Sequence, residues 1–333
     1  MKRILISGAS GFVGHHLTSY VLENTDWEVI AVDRLLSVLS RKRFNDLNLS
    51  NEERITSIHH DFGERFSQEA LESIGDIDYI FHFGAETSVE KSLIDPYAFI
   101  KTNIIGTQNL LNLALKQENL HHFFYVSTNE VFGNATPNQK FREWENYNCF
   151  NPYSATKAAA EELCLAYSSS YQIPILIIRT MNLFGERDNP EKFIPRAVRS
   201  LLLNEKIPVY VSPSGEIGSR AYLLCSEFIS AMFFIIGVIE SNSSIDWNRN
   251  IINIAGDVII DNIALAKKIA EIMNKSFSNE MIDYYYDESI SILHSALDCS
   301  KLHKLGWHPR MSFDEQLEYV VRWLVNNVNW PFD

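Results

Sequence analysis

The segment Tyr153-Ser-Ala-Thr-Lys157 sets a phenol and an ammonium four positions apart, so a helix would carry both on one face. A tyrosine with its ordinary pKa of about 10 is neutral near pH 7. An ammonium close by favours the phenolate, and the pair could then work as a base. Such a pair is common on helix surfaces and means little alone. Upstream, however, Ser127-Thr128-Asn129-Glu130 ends a strand-like run and supplies two hydroxyls, an amide and a carboxylate. Hydroxyls can hold a substrate oxygen, and a carboxylate can take or return a proton.

A glycine turn is the second constellation. Gly8-Ala-Ser10-Gly11-Phe12-Val13-Gly14 follows a short apolar run and opens a helical pattern. Small residues there let the backbone approach a pyrophosphate, whose charge is met by helix N-terminal amides and the helix dipole. Glycine spacing alone is weak evidence; its place between a first strand and a first helix strengthens it. Asp33 ends the second strand-like run, where an acid accepts hydrogen bonds from adenosine ribose hydroxyls. A carboxylate repels a 2′-phosphate, so NAD is expected over NADP, with Arg34 beside it as the opposing consideration. Asp61, after the third strand, could meet the adenine or simply form a turn. A bound nicotinamide ring, itself positive, would add to the ammonium in favouring a Tyr153 phenolate.

Positioning these groups calls for alternating strands and helices, and the chain supplies them. Strand-like runs fall at Arg3–Ser7, 27–32, Ile55–His59, 79–83, 122–127 and 175–179. Helical spacing covers 11–23, Gln68–Ile74, 97–116 and Pro152–Tyr171. That rhythm predicts an α/β fold with a parallel sheet covered on both faces. After Arg179 it loosens: 182–195 reads as loop, 191–203 as helix and 208–220 as turn-rich. A strand at Ile251–Ile254 is expected to return to the main sheet. Residues 228–239 read as a buried helix. Ser312-Phe-Asp-Glu315 reads as a capping box for a last helix with Leu317, Val320, Val321 and Leu324 on its apolar face.

The 333 residues are 46% hydrophobic and 21% charged, an ordinary globular balance with ample chain for a full core. A formal net charge of −13 argues against nucleic acid or an anionic membrane as partner, because both would be repelled. A local Arg/Lys pocket could still hold a small anion. Cys149, Cys164, Cys225 and Cys299 are scattered, with no Cys-x-x-Cys pair, and read as free thiols, not as a metal site. The apolar stretch 228–239 is too short to span a bilayer and no signal-peptide pattern is seen, so the cytoplasm is the expected location.

Together the motifs carry a resemblance. G-A-S-G-F-V-G from Gly8, F-H-F-G-A-E-T-S-V from Phe81, Y-V-S-T-N-E-V-F-G from Tyr125 and N-P-Y-S-A-T-K-A-A-A-E from Asn151 come first. R-T-M-N-L-F-G-E-R-D-N-P-E-K-F-I-P from Arg179, G-S-R-A-Y from Gly218, I-N-I-A-G from Ile252 and L-G-W-H-P from Leu305 follow. In this order they resemble the extended short-chain dehydrogenase/reductases, and most closely the nucleotide-sugar 4,6-dehydratases, over nearly the whole chain. The resemblance implies a Rossmann-type doubly wound parallel sheet with a smaller C-terminal α/β substrate-binding lobe. It implies NAD, a nucleotide-diphosphate sugar as substrate, and a homodimer formed through the helices at 97–116 and Pro152–Tyr171. Residues 1–180 would bind NAD, with 221–260 returning to that domain, and 181–220 with 261–333 would form the other lobe.

Around the cofactor the likeness sets Gly8, Ser10, Gly11, Phe12, Val13, Gly14, Asp33, Asp61, Phe62, Phe83, Ala85, Asn103, Ser127, Tyr153 and Lys157. Around the substrate it sets Glu86, Thr87, Thr128, Asn129, Glu130, Asn182, Glu191, Lys192, Arg220 and Asn253. Lys192 and Arg220 suit phosphate oxygens, and Asn182 can offer an amide to a bridging one.

In such dehydratases the tyrosine takes the proton of a sugar hydroxyl while hydride passes from that carbon to NAD. The 4-ketone then acidifies the C5 proton, a base removes it, water leaves from C6, and the hydride returns there. The resemblance makes Glu130 that base; sugar 4-epimerases usually lack an acid here. Asn129 departs from the pattern. The dTDP-glucose dehydratases carry an aspartic acid there, thought to protonate the departing hydroxyl, and an amide can only hydrogen-bond. Related GDP-mannose dehydratases manage with a serine, so Thr128, Asn129 and a protonated Glu130 could suffice. The alternatives are a slow enzyme, an epimerase or a decarboxylase on the same scaffold, or a catalytically weak binding protein that retains NAD. A second departure lies at 287–294, where an Arg-Pro-Gly-His-Asp stretch is usual. One diphosphate contact is missing there, or is replaced by Arg187 or His294.

Overall fold

The computed structural model describes residues 1–34, 38–47, 52–136, 139–212, 214–241, 250–286 and 293–330. The chain divides into two compact units. The first comprises Met1–Val131, Tyr147–Arg179 and Ser244–Ile252; the second comprises Phe132–Asn146, Thr180–Ser243 and Asn253–Asp333.

The first unit opens with β1 (Arg3–Ser7), α1 (Phe12–Asn24), β2 (Glu28–Asp33), α2 (Val38–Asp46), β3 (Ile55–His59), α3 (Gln68–Ile74) and β4 (Tyr79–His82). It continues with α4 (Val89–Ile94), α5 (Pro96–Phe99), a π-helical stretch at Ile100–Ile105, α6 (Gly106–Ala114), β5 (His122–Thr128), α7 (Pro152–Tyr171) and β6 (Ile175–Thr180). In the second unit lie β7 (Leu183–Phe184), α8 (Phe193–Leu203), β8 (Ile207–Val211), β9 (Ser219–Ala221), β10 (Leu223–Leu224) and α9 (Cys225–Glu240). After β11 (Ile251–Ile254), which crosses the boundary, come β12 (Ile259–Asp261), α10 (Asn262–Ile272), β13 (Ile282–Tyr286), β14 (His294–Ser295), α11 (Ser300–Leu305) and α12 (Phe313–Asn326).

Seven strands form the main sheet in the order β11-β6-β5-β4-β1-β2-β3. The register runs parallel from β5 through β4, β1 and β2 to β3. Strands covered on both faces must be apolar nearly throughout, and β4 is buried at all four residues. Leu5, Ile30, Ile80, Phe123 and Ile177 meet Leu110, Ala160 and Cys164 of the covering helices in one core. The chain order reverses between β1 and β4, so the crevice at their C-terminal ends is the natural ligand site of such a sheet.

Local patterning accounts for the helix ends. Asn151 caps α7 by accepting from the Ser154 amide, Pro152 sits in the first turn, and Gln172 closes the far end in a left-handed conformation. The single helix expected over 97–116 is instead three joined pieces with the π stretch in the middle. There the Thr107 hydroxyl takes the Asn103 carbonyl at 2.6 Å, a side-chain bond that competes with the regular ladder. α2 and α4 are short, carry little apolar periodicity, and escape a reading based on spacing.

In the second unit, α8, α10 and α12 pack around Ile194, Val198, Leu265, Ile269, Leu317 and Val321. The capping box is present: Ser312 accepts from the Glu315 amide, and the Glu315 carboxylate accepts from the Ser312 amide at 2.7 Å. Residues 208–220, read as turn-rich, contain two strands. β8 alternates inward and outward and pairs with β13, while β9 pairs with β12 and β14. The return of 221–260 to the sheet is narrower than expected, for α9 belongs to the second unit. It grows directly out of β10, whose pairing with β7 holds it there. Among the described residues, no helix is long and apolar enough to cross a membrane.

Candidate active site

The turn after β1 is closed by its glycines. Gly8 has φ +70°, and a Cβ on it would lie 2.9 Å from the Gly84 Cα, so the loops leaving β1 and β4 all but touch. A Cβ on Gly14 would collide with the Gly8 carbonyl. Gly11 stands at the N-cap of α1 with no side chain to satisfy the first amides. Phe12 and Val13, in the first turn, are half-buried. Ser10 donates its amide to Asp33 Oδ2 at 3.1 Å, while its own hydroxyl is buried without a partner among the described residues. Uncapped amides, an unspent hydroxyl and a carboxylate at the end of β2 fit the diphosphate and ribose of a dinucleotide.

Around this turn the expected residues divide. Asp61 Oδ1 accepts from the Gly63 amide at 2.9 Å and shapes a turn. The Phe62 ring is core, stacked against the space above Gly84, so any ligand contact there falls to its backbone. Phe83 and Ala85 are half-buried at the end of β4. Asn103, expected at the cofactor, is buried and acts as a clamp. It accepts from the Glu86 amide at 2.8 Å and donates to the Glu86 carbonyl and the Thr156 hydroxyl, each at 3.0 Å. Glu86, expected at the substrate, spends its carboxylate on Arg34 at 2.5 Å. Thr87 beside it is exposed.

Tyr153 and Lys157 share the buried face of α7, with 8% and 4% of their surface exposed. The Lys157 ammonium donates to the Val126 carbonyl at 2.8 Å and lies 4.3 Å from the centre of the Tyr125 ring. Burial pulls its pKa down to about 8, against the opposing pull of Glu161 and Cys164. The phenol of Tyr153 is pushed above its ordinary value. Burial is the main cause and the Glu130 charge adds to it, while a hydrogen bond with Thr128 works the other way. The expected lowering by Lys157 is therefore not what the bare protein does. Desolvation of the phenolate is the dominant cause, and the Lys157 ammonium is directed at the Val126 carbonyl.

The end of β5 completes the cluster. The Thr128 hydroxyl accepts from the Glu130 amide at 3.2 Å and faces Asn129 Oδ1 at 3.5 Å. Glu130 Oε2 accepts from Asn151 Nδ2 at 3.4 Å, tying the carboxylate to the start of α7. Asn129 is buried, and the Ser127 hydroxyl is buried without a partner among the described residues. Ser127, Thr128, Asn129, Glu130, Tyr153 and Lys157 thus come together within one unit. A phenol hydrogen-bonded to a hydroxyl, with a carboxylate held beside them by Asn151, can move protons to and from neighbouring carbons and oxygens.

The remaining expected residues lie in the second unit. Asn182, Glu191 and Lys192 are exposed. Arg220 is half-buried, with Nη1 donating to the carbonyls of Ser219 at 2.9 Å and Leu293 at 2.5 Å. His294 Nδ1 pairs with the Ser219 hydroxyl at 2.8 Å. Arg187 has φ +60° and lies over Trp323, 5.4 Å from the ring centre. Of the divergent 287–294 stretch, residues 287–292 lie outside the described residues. Asn253 departs from its expected substrate contact. It is fully buried, and Nδ2 donates to the carbonyls of Phe141 at 3.0 Å and Asp298 at 3.1 Å, so it braces three segments of its own unit.

The model of a family described as GDP-mannose 4,6 dehydratase matches residues 5–320. The chain belongs to that family. It is 32% identical to the low-salt glycan biosynthesis protein Agl12 of Haloferax volcanii, over 96% of this chain and 97% of that protein. It is 28% identical to the dTDP-D-glucose 4,6-dehydratase of Mus musculus, over 99% of this chain and 90% of that one. Among solved structures, DesIV, a dTDP-glucose 4,6-dehydratase from Streptomyces venezuelae with NAD and TYD bound, matches at 25% identity. Its TM-score is 0.86, with 98% of each chain covered.

Beneath the candidate site this member of the family carries groups that spacing did not single out. Arg179 and Glu161 form a buried ion pair, with Arg179 Nη2 to Glu161 Oε2 at 2.5 Å and the Tyr147 hydroxyl donating to the same oxygen at 2.9 Å. Glu161 follows Lys157 by four on α7, and that repeat of the Tyr/Lys spacing was the available signal. His82 is buried, and its pKa is held well below the ordinary value by burial and by the Lys157 charge. Thr107 donates to the Asn103 carbonyl, so it accepts from His82 Nε2 at 2.9 Å, which leaves Nδ1 to accept from Ser7 at 2.6 Å. No local pattern reveals that chain.

Proposed function

We propose that this protein is an NAD-dependent nucleotide-sugar 4,6-dehydratase, a lyase that converts its substrate to the 4-keto-6-deoxy sugar nucleotide. The observation that carries the reading is the single hydrogen-bonded set of Tyr153, Thr128, Glu130 and Asn151. It lies in the same unit as a glycine turn fitted to a dinucleotide. When bound there, NAD supplies a hydride acceptor at C4 and a donor at C6.

Tyr153 accepts the proton of the C4 hydroxyl, and Thr128 holds that oxygen. Lys157 keeps a positive charge beneath the site, where it opposes the cost of forming a phenolate. Glu130 removes the C5 proton. Once protonated, it delivers that proton to the departing C6 hydroxyl, so water leaves. As hydride reaches C6, C5 regains a proton from solvent through the same carboxylate, balanced by the C4 hydroxyl proton that Tyr153 releases to solvent. Asn129 contributes a hydrogen bond only. Lys192, Arg220 and Asn182 are assigned to the diphosphate, whose charge suits an ammonium and a guanidinium.

A homodimer is part of this proposal. Ile94, Tyr97 and Ile100 are 84%, 72% and 44% exposed, with Leu93 and Ile105 beside them in sequence. So many large apolar side chains along α4, α5 and the π stretch favour burial against a second copy.

The test is a panel of nucleotide hexoses and nucleotide hexuronic acids. A 4-keto-6-deoxy product with label carried from C4 to C6 supports the dehydratase. Release of carbon dioxide would mean a decarboxylase, inversion at C4 an epimerase, and no turnover of any sugar a binding protein. Solvent deuterium at C6 in place of the migrated label would contradict the scheme.

A further inference from the structure

Arg34 directly follows Asp33, the residue fitted to the ribose. An arginine near this position is what answers the 2′-phosphate in enzymes that take NADP. Its guanidinium here is engaged. Nη2 donates to Glu86 Oε1 at 2.5 Å, and Nη1 stands 3.9 Å from Asp61 Oδ2. Its backbone carbonyl is paired as well, with His59 Nε2 at 2.6 Å.

The partners are held in place. The amide and carbonyl of Glu86 are both clamped by the Asn103 side chain, at 2.8 and 3.0 Å. Asp61 has its second oxygen on the Gly63 amide. In the sheet, β1 lies between β2 and β4, so the ion pair from Arg34 to Glu86 links the two loops that flank the Gly8 turn. Two carboxylates, Glu86 and Asp61, thus face the Arg34 guanidinium, while a second guanidinium, Arg41, lines the pocket beside Asp33. A dianionic 2′-phosphate would meet the Asp61 and Glu86 carboxylates with the Arg34 guanidinium already engaged by them.

We propose that Glu86, assisted by Asp61, withholds Arg34 from a 2′-phosphate, so that selectivity for NAD over NADP resides in this ion pair as well as in Asp33. The inference rests on the reading that the glycine turn binds a dinucleotide.

Equilibrium titration with NADH and NADPH, followed by nicotinamide fluorescence, tests it through the ratio of the two dissociation constants. In the native protein NADH binds tighter, and Arg34→Met does not strengthen NADPH binding, because the guanidinium is already held by the two carboxylates. Glu86→Gln releases Arg34 and shifts the ratio toward NADPH by about tenfold or more, a gain that shrinks at high salt. Adding Arg34→Met to Glu86→Gln removes the gain. Asp61→Asn shifts the ratio in the same direction, and serves should Glu86→Gln not fold. An unchanged ratio in the Glu86 or Asp61 variants would overturn the proposal, as would a gain that survives loss of Arg34. Failure of the native protein to bind NADH at all would instead overturn the functional reading beneath it.

Discussion

The Lys157 ammonium donates to the carbonyl oxygen of Val126 at 2.8 Å, two positions before Thr128 on the same strand. That bond ties α7 to the end of β5 and fixes a buried cation beneath the hydroxyl and carboxylate cluster. The same burial that holds it there lowers its pKa to about 8, and raises that of Tyr153 above the ordinary phenol value.

Turnover should therefore show two limbs. The phenolate form of Tyr153 becomes more populated as pH rises, and the ammonium form of Lys157 is lost as pH passes about 8. Activity climbs through neutrality and levels off above that value, where phenolate gained and ammonium lost offset each other, as a pH profile of kcat/KM will record. Tyr153→Phe lowers kcat by roughly 10²–10⁴ or more while NAD remains bound through gel filtration. Normal turnover by the Phe variant would end the assignment of the base.

Lys157 also costs the fold stability. Its pKa falls from 10.5 in the reference state to about 8 in the folded chain. Between those values the unfolded chain binds more protons, so stability rises with pH across that window and the cost is fully present below about 8. A shift of that size corresponds to about 3 kcal/mol. Lys157→Met removes it but leaves the Val126 carbonyl without its donor, a loss of about 1–3 kcal/mol. The balance favours a variant that is inactive, has a slightly higher Tm at pH 7, and lacks the rise in stability from pH 8 to 10. A lower Tm at pH 7 with the rise intact would contradict this.

Glu130 and Asn129 differ in what they can exchange. Glu130→Gln should block elimination by about 10²–10⁴ while reduction of NAD, read by nicotinamide fluorescence, persists, because oxidation at C4 does not need the carboxylate. Asn129→Ala loses one hydrogen bond and falls less. Equal and mild losses at both positions would place the acid and base elsewhere.

Glu161 and Arg179 are 0% and 2% exposed at their side chains, and neither can be left alone. Glu161→Leu or Arg179→Met alone should each destabilise by about 3–5 kcal/mol, because the partner is left as an uncompensated buried charge. The double replacement should cost less than the sum of the two in chemical denaturation, as a coupled pair requires.

Ile94→Asp with Tyr97→Asp should turn the proposed dimer into monomers in sedimentation equilibrium, with the far-ultraviolet circular dichroism unchanged. An assembly of the same size in both proteins would move the interface away from α4 and α5.

By itself the sequence determined the alternation of strands and helices through β6, the glycine turn, the start of α7 after Asn151-Pro152 and the shared face of Tyr153 and Lys157. Each of these follows from patterns only a few residues long: apolar runs, a proline after an asparagine, a spacing of four. Only the tertiary structure decided which partner each polar group took. Lys157 reaches Val126 across 31 positions, Arg34 reaches Glu86 across 52, and Asn253 reaches Phe141 across 112. These pairings give Glu86 and Asn253 structural partners that spacing did not show, and burial is the main influence on the Tyr153 phenol. Desolvation and long-range contact depend on everything that packs around a group, and no local spacing encodes them.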